Sequence, residues 1–213
     1  MFIELADILR CPNPHEETWL VLATSGMDGR NVVHGQLGCP ICHAEFPIES
    51  GIARFDRGDR RRTRYSAPDP EEAVRLAALL DLGDSRGYVI LVGETSNHAP
   101  ALRDLTDVQL LLVDPPAEIE MGAALSGLTT DRSSPSIPLA GASARAIALD
   151  DAASTEQIAA WLRIAAPGAR ILAPAAVSMP NGLTELARDE RHWLAERLAT
   201  PAPSGIVGIA RRK

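Results

Sequence analysis

Short apolar runs alternate with amphipathic stretches over the last two thirds of the chain. Four such runs lie at residues 88–92, 108–113, 144–149 and 170–173, and each is followed directly by Gly, Asp or Pro. Runs of this length, ended by turn-forming residues, are typical of strands that are buried on both faces. Because the stretches between them are long enough for helices, the pattern predicts parallel strands joined by helical crossovers.

Capping patterns predict the helices between these strands. Asp69-Pro-Glu-Glu72 supplies an N-cap acid, a proline in the first turn and a capping glutamate, so a helix is expected to run to about Leu82. Ser154-Thr-Glu-Gln157 is a second capping box. The helix that it opens carries on one apolar face Ile158, Trp161, Leu162 and Ala165. A shorter helix is expected over residues 99–105.

The end of the chain is predicted to add one helix and one strand. A helix that begins at Thr184 would bring together Leu186, Trp193, Leu194 and Leu198. The apolar segment 205–210 is interpreted as a last strand. The predicted fold class is therefore α/β, with a doubly wound, Rossmann-like sheet over residues 70–213.

The first 56 residues have a different composition. They hold all three cysteines and all three phenylalanines of the chain, whereas the remainder is rich in Ala, Leu and Val. Between the two parts, a segment of Arg, Gly, Ser and Pro offers almost nothing to bury. We predict a small N-terminal module at residues 1–56, a linker at 57–69 and the α/β domain at 70–213.

Composition and charge narrow the class of protein. Of 213 residues, 46% are hydrophobic and 23% are charged, which is typical of a folded chain and excludes a disordered or fibrous one. No run approaches the ~18 apolar residues that a membrane span needs. Residues 1–10 also lack the basic start of a signal peptide, so we predict a cytoplasmic protein with no membrane contact.

The net charge of −7 disfavours a general nucleic-acid coat. One local exception is the segment 57–64, whose five arginines are Arg57, Arg60, Arg61, Arg62 and Arg64. We interpret this run as a solvated linker, with an RNA contact as the alternative.

The cysteines predict a metal site. Cys39 and Cys42 have the two-residue spacing with which a tight turn presents two thiolates to one ion, and zinc needs four ligands. Cys11 and His15 lie in a proline-rich turn that is able to supply the other two. The alternatives are His34 or His43 as the fourth ligand, or three reduced thiols buried as small apolar groups.

Three segments carry a resemblance to a known family. Residues 5–12 (LADILRCP), 39–42 (CPIC) and 45–52 (EFPIESGI) resemble the Trm112-like zinc-ribbon proteins. This chain departs from the pattern at Pro14, which stands where the family has its second cysteine. The resemblance implies a zinc-ribbon module that binds a protein partner, because members of that family stabilise and activate methyltransferases. A similar module precedes some rRNA methyltransferase domains.

The α/β part is similar to class I S-adenosylmethionine-dependent methyltransferases. Val89–Gly93 resembles the first motif, Asp114 the acid that binds the ribose, and residues 137–149 and 162–172 the approach to the fourth strand and the fifth strand. In doubly wound sheets the ligand lies at the carboxyl ends of the strands. The candidate cofactor-binding residues are accordingly Gly93, Glu94, Thr95, Asp114, Asp131 and Asp150.

Departures from that family shape the functional prediction. The three glycine positions of the first motif hold Gly93, Thr95 and Asn97, and no catalytic dyad is recognisable. Asp114 also has the simpler reading of a turn former and Asp150 that of a helix cap. We predict a methyltransferase-like protein with a degenerate S-adenosylmethionine site that acts as a binding partner or scaffold. The alternative is an active methyltransferase whose zinc module docks an RNA or protein substrate.

Overall fold

A computed structural model describes residues 1–56, 63–83, 87–122, 125–131 and 136–198. The predicted strand at 205–210 lies outside the described residues, as do four of the five arginines of the basic segment, Arg57, Arg60, Arg61 and Arg62. Arg64 is described and is exposed. In the part of the chain that is described, no helix has the length and apolar character needed to cross a membrane.

The described residues form a single mixed sheet with three α-helices around it. The strands are β1 (Val21–Asp28), β2 (Asn31–Gly38), β3 (Glu45–Glu49), β4 (Ile52–Arg54), β5 (Tyr88–Val92), β6 (Gln109–Val113), β7 (Leu125–Thr129), β8 (Ala144–Ala148), β9 (Ala165–Pro174), β10 (Leu183–Arg188) and β11 (His192–Arg197). The α-helices are α1 (Pro70–Leu79), α2 (Ala99–Arg103) and α3 (Thr155–Ile164), and 3-10 helices span Ile3–Asp7 and Gly93–His98.

The order of the strands confirms an α/β fold with a parallel centre. Along the sheet the order is β1-β2-β3-β4-β7-β6-β5-β8-β9-β11-β10. Strands β4, β7, β6, β5, β8 and β9 are parallel to one another in that order, whereas β11 runs antiparallel to both β9 and β10. Counted from β5, the order is 3-2-1-4-5, which is doubly wound. The winding reverses between β5 and β8, where such sheets leave a crevice.

Both faces of the sheet are covered. In β5, Ile90 belongs to one apolar cluster and its neighbours Val89 and Leu91 belong to the other, because successive side chains of a strand point to opposite faces. Helices α1 and α2 pack on the Val89 side. Helix α3 and the N-terminal 3-10 helix pack on the Ile90 side.

The N-terminal part is built of antiparallel strands. Strands β1 to β4 pair in chain order, and Phe46 and Phe55 pack with their ring centroids 4.8 Å apart. Strand β4 then pairs with β7, so the sheet continues without interruption from the N-terminal strands into the α/β part. The antiparallel arrangement does not by itself identify a zinc ribbon, and the domain division at 56 and 69 stays a prediction.

The capping signals are confirmed by helices at the predicted places. Asp69 accepts a hydrogen bond from the backbone N–H of Glu71 at 2.9 Å, and α1 begins at the next residue, Pro70. At α3 the capping box is complete, because Ser154 and Gln157 exchange hydrogen bonds between side chain and backbone at 2.9 and 3.3 Å.

The predicted helix from Thr184 is wrong. The segment forms the antiparallel hairpin of β10 and β11. Trp193, Leu194 and Ala195 are all buried in β11, so both faces of this segment are covered, as in an interior strand and unlike an amphipathic helix. Leu186 and Leu198, which the helical spacing placed beside Trp193, are exposed.

Candidate functional site

Two loops bring four metal-binding side chains together. Cys39 and Cys42 lie in the turn between β2 and β3, and Cys11 and His15 lie in the loop that precedes β1. The ligand atoms of these four residues all lie within 4.8 Å of one another. Within the described ranges, this is the group whose donor atoms converge on one point, and His34 and His43 do not belong to it.

Three of the spacings among these atoms are close to those around a tetrahedral ion. Zinc bonds of about 2.3 Å to sulfur and about 2.0 Å to nitrogen place neighbouring ligands about 3.5–3.8 Å apart. The Sγ atoms of Cys11 and Cys42 are 3.7 Å apart, and Nε2 of His15 lies 3.2 Å from Sγ of Cys11 and 3.4 Å from Sγ of Cys39. The three thiols are free, so no disulfide competes for these positions.

Hydrogen bonds orient the ligands. Nδ1 of His15 lies 2.6 Å from the carbonyl oxygen of Glu16. A proton on Nδ1 then points at that oxygen, which leaves the lone pair of Nε2 for an ion held beside Sγ of Cys11 and Sγ of Cys39. The Asn13 amide donates to Sγ of Cys42 at 3.2 Å, and the backbone N–H of Cys42 donates to Sγ of Cys39 at 3.5 Å.

The environments of two of the thiols shift their pKa values in opposite directions. The hydrogen bond from Asn13 lowers the pKa of Cys42 to about 6, whereas burial raises the pKa of Cys11 to about 12. A divalent cation stabilises the thiolate form of both. Cys11, His15, Cys39 and Cys42 would hold zinc with all four positions filled by protein, which is the coordination of a structural ion.

A cleft lies at the second candidate site, the carboxyl ends of the strands. Its volume is about 550 Å³, which is within the usual range for small-molecule sites. It opens where the sheet reverses, between the ends of β5 and β8. The lining residues include Gly93, Asp114, Asp131, Asp150, Glu156 and Trp161.

Asp114 ties β6 to β7. Its carboxylate accepts two hydrogen bonds from Thr130, one from the backbone N–H at 2.8 Å and one from the hydroxyl at 2.6 Å. Its own N–H donates to the carbonyl of Leu128 at 2.9 Å. The residue adopts a φ of +50°, which Asp tolerates better than most residues. The carboxylate is thereby held in one orientation at the rim of the cleft.

Asp150 occupies the space that the glycine of the first motif leaves open. Only 6% of Asp150 is exposed. Its Oδ2 accepts from the N–H of Glu94 at 3.3 Å and its Oδ1 from the N–H of Ala152 at 3.2 Å. A Cβ atom on Gly93 would lie 1.8 Å from Oδ2 of Asp150, and Gly93 has a φ of +60°. The bare backbone at Gly93 is therefore needed for this carboxylate.

The loop after β5 folds on itself, and its side chains point away from the cleft. Thr95 donates to the carbonyl oxygens of Val92 and Ala148 at 3.0 and 3.2 Å, joining the ends of β5 and β8. Asn97 is buried, and its amide donates to the carbonyls of Arg64 and Glu94, both at 3.0 Å. Neither Thr95 nor Asn97 lines the cleft. The side chains that stand in place of the two glycines therefore do not fill the cleft.

The predicted cofactor residues are only partly brought together. Gly93, Asp114, Asp131 and Asp150 line the cleft, whereas Glu94 and Thr95 do not. The sequence interpretation missed Ser136 and Ile137, which form another wall. It placed Trp161 in the core, where this side chain is only 4% exposed, and Trp161 also lines the cleft. One signal for Trp161 was available, since the capping box at Ser154 sets the first turns of α3 beside the end of β8.

A larger cavity of about 820 Å³ lies on the other side of Asp114. It is bounded by β4, β7 and the loop that follows β6, and Asp114 and Thr130 line both cavities. It lies away from the reversal between β5 and β8, so the smaller cleft has the position expected of a ligand site in a doubly wound sheet.

Comparison with known proteins gives a structural similarity only. No protein-family description matches the chain, and no curated protein matches its sequence. A solved structure from Methanococcus maripaludis, which carries the provisional name S-adenosyl-L-methionine-dependent methyltransferase, matches with 11% sequence identity and a TM-score of 0.42. The match covers 63% of this chain and 86% of that one.

Proposed function

We propose that this chain is a metal-binding, methyltransferase-like protein that binds S-adenosylmethionine in the cleft between β5 and β8. The observation that carries the proposal is the 550 Å³ cleft at the reversal of the sheet, with an oriented carboxylate at its rim. The cleft is present although Thr95 and Asn97 replace two glycines of the loop after β5.

The polar rim suits a ribose. A carboxylate offers about four acceptor positions, and the two hydrogen bonds from Thr130 fix the direction of the Asp114 carboxylate. A pair of vicinal hydroxyls is able to donate to a group held in this way. The exposed parts of Trp161 and Ile137, 4% and 8% of these residues, form the apolar wall against which the base would lie.

Methyl transfer from a bound sulfonium requires alignment more than acid–base help. The contribution of this chain is therefore to hold the ligand and exclude water, and we assign no general base. Beside the end of β5, the carboxylate of Asp150 lies against Gly93, in the space that a glycine-rich loop would leave open.

Titration calorimetry tests the proposal. Zinc-loaded protein is expected to bind S-adenosylmethionine or its demethylated product with micromolar affinity and a stoichiometry near one. Asp114→Asn is the matched variant, because Asn tolerates the positive φ of this position and keeps an acceptor for the N–H of Thr130. It should weaken binding at least about tenfold, since a hydrogen bond from a ligand to a charged group is worth about 1.5–3 kcal/mol. Glu185→Gln, on exposed β10, serves as the control.

Absence of heat with either ligand, from a folded and zinc-loaded sample, would remove the proposal. Equal affinity in the wild type and Asp114→Asn would mean that the ribose is not held at Asp114.

A specific surface favours a second function, that of a binding partner or scaffold. Strand β1 forms the outer edge of the sheet; Val21, its first residue, is 63% exposed, and Trp19, two residues before it, is 65% exposed. An exposed edge with large apolar side chains is a surface to which another chain adds. The predicted partner is a methyltransferase. Recovery of one in stoichiometric amount with the wild type, and its loss with Val21→Lys, together with no ligand heat, would select this function.

A further inference from the structure

A small cavity lies between the metal-binding cluster and the cleft. Its volume is about 250 Å³, and Cys11 and His15 line one side of it. Ser136, Ile137 and Ala160 line another side, and these same three residues also line the cleft. The two candidate sites are therefore separated by one shared wall.

The backbone joins the metal loop to that wall. The N–H of Ala140 donates to the carbonyl of Ile8 at 2.8 Å, and the N–H of Arg10 donates to the carbonyl of Pro138 at 3.0 Å. Between these two hydrogen bonds, Leu9 and Leu139 form an antiparallel bridge, and both are fully buried. Residues 8–10 directly precede Cys11, so a shift of Cys11 acts on a ladder that ends beside Ile137.

Arg163 adds a second connection. From the last turn of α3, its guanidinium donates to the carbonyls of Ile137 and Leu139 at 3.3 and 3.0 Å. The same group pairs with Glu17 at 3.3 Å. Glu17 follows His15 by two residues and also pairs with Arg10 at 3.4 Å. The side chain of Arg163, which belongs to the helix that lines the cleft, thus contacts both the wall of the cleft and the metal loop.

We propose that the metal centre and the cleft are coupled through this wall, so that the bound metal raises the affinity of the cleft for its ligand. This inference rests on the proposed function for the identity of the ligand. The loop 11–17 has no regular secondary structure, and it meets the Cys39 turn through the four ligand atoms and the hydrogen bond from Asn13 to Sγ of Cys42. A metal fixes this loop, and the ladder and Arg163 carry the constraint to Ile137 and α3.

The coupling is reciprocal by thermodynamic linkage. If zinc tightens the binding of S-adenosylmethionine by some factor, S-adenosylmethionine must tighten the binding of zinc by the same factor. We expect a factor of about five or more. Calorimetry with zinc-loaded and metal-free protein gives the first value, and zinc competition against a chromophoric chelator with and without S-adenosylmethionine gives the second.

Hydrogen exchange provides a readout that needs no ligand. Removal of zinc is expected to accelerate exchange at residues 137–140 and in α3, beyond the acceleration at the ligand loops themselves. Exchange in β10, which forms the edge of the sheet opposite β1, should not change.

Arg163→Ala separates the coupling from the metal site, since Arg163 is not a ligand. With zinc still bound at one ion per chain, this variant should bind S-adenosylmethionine about fivefold more weakly and should lose most of the effect of zinc on cleft affinity. Arg188→Ala is the matched control, because Arg188 pairs with Glu185 on β10, at the far edge of the sheet. Should the metal-free chain unfold, the zinc-loaded proteins still decide the question, because equal affinity for S-adenosylmethionine in the wild type and Arg163→Ala would overturn the coupling.

Three results have distinct meanings. No binding of S-adenosylmethionine removes the proposed function, and faster exchange at 137–140 without zinc would still support a mechanical link. Ligand affinity that is the same with and without zinc, in a chain that binds the ligand, overturns the coupling and leaves the proposed function intact. Unchanged exchange at 137–140 on zinc removal also overturns it.

Discussion

Replacement of Gly93 by alanine tests whether Asp150 has taken over the space of the glycine loop. The new Cβ would lie 1.8 Å from Oδ2 and 2.7 Å from Cγ of Asp150, so the carboxylate must leave its position. Its hydrogen bonds from the N–H groups of Glu94 and Ala152 would then be lost. The φ of +60° adds a cost that is independent of Asp150.

The magnitude follows from these two contributions. A left-handed conformation costs a residue with a Cβ about 1–2 kcal/mol. Hydrogen bonds to a charged group are worth about 1.5–3 kcal/mol each, but a displaced carboxylate regains part of this from water in the cleft. We expect Gly93→Ala to lower the free energy of unfolding by about 3–5 kcal/mol in total.

Gly168→Ala isolates the backbone contribution. Gly168 has a φ of +78°, and a Cβ atom added there would meet nothing within 4 Å, so this variant should lose only about 1–2 kcal/mol. Urea unfolding followed by circular dichroism gives both values. In the Gly93→Ala background, Asp150→Ala should cost much less than it does alone, because the two residues share one space. If Gly93→Ala and Gly168→Ala agree within about 0.5 kcal/mol, Asp150 does not occupy that space and the reasoning is wrong.

Three further predictions concern the metal, the loop after β5 and pH. Cys39→Ser should reduce bound zinc from one equivalent to well below one by metal analysis, and a variant that retains a full equivalent would contradict the assigned cluster. Asn97→Ala should speed hydrogen exchange at residues 64–66, because its amide accepts from and donates to that segment, and unchanged exchange would refute this role. Burial lowers the pKa of His98 against the opposing charges of Glu72 and Asp69. The unfolded chain then takes up the proton first, so stability is lost as pH falls through about 6.5, and His98→Gln should flatten the slope of unfolding free energy between about pH 7 and 5. The change should be a fraction of ~1.4 kcal/mol per pH unit, since the ring is only half-buried, and an unaltered slope would exclude His98 as its source.

The fold is predictable where local signals act alone. Capping residues set α1 and α3, and continuous apolar runs set β5, β6 and β8. Strand β7 has no such signal, because its close packing uses a glycine, Gly127, where a Cβ atom would lie 2.9 Å from Ile52. The hairpin of β10 and β11 was not predicted because a short apolar cluster fits either an amphipathic helix or a strand buried on both faces. Only the pairing of β11 with β9 decides between the two.

The sites show the same limit. Cysteine spacing predicts which residues cluster, since two turns with fixed geometry leave few arrangements. The motif around Gly93 indicates the position of the cleft but not that Asp150 fills the glycine gap, because this depends on the distance between the ends of β5 and β8. Ser136 and Ile137 carry no signal in the sequence, since their place in the wall comes from the pairing of this segment with residues 8–10.

A crystal structure of the zinc-loaded chain with S-adenosylmethionine tests the central claim most directly. The account predicts the ligand between the ends of β5 and β8, with both ribose hydroxyls on the carboxylate of Asp114 and the base against Trp161. A ligand that lies elsewhere, or an empty cleft at saturating concentration, would contradict it.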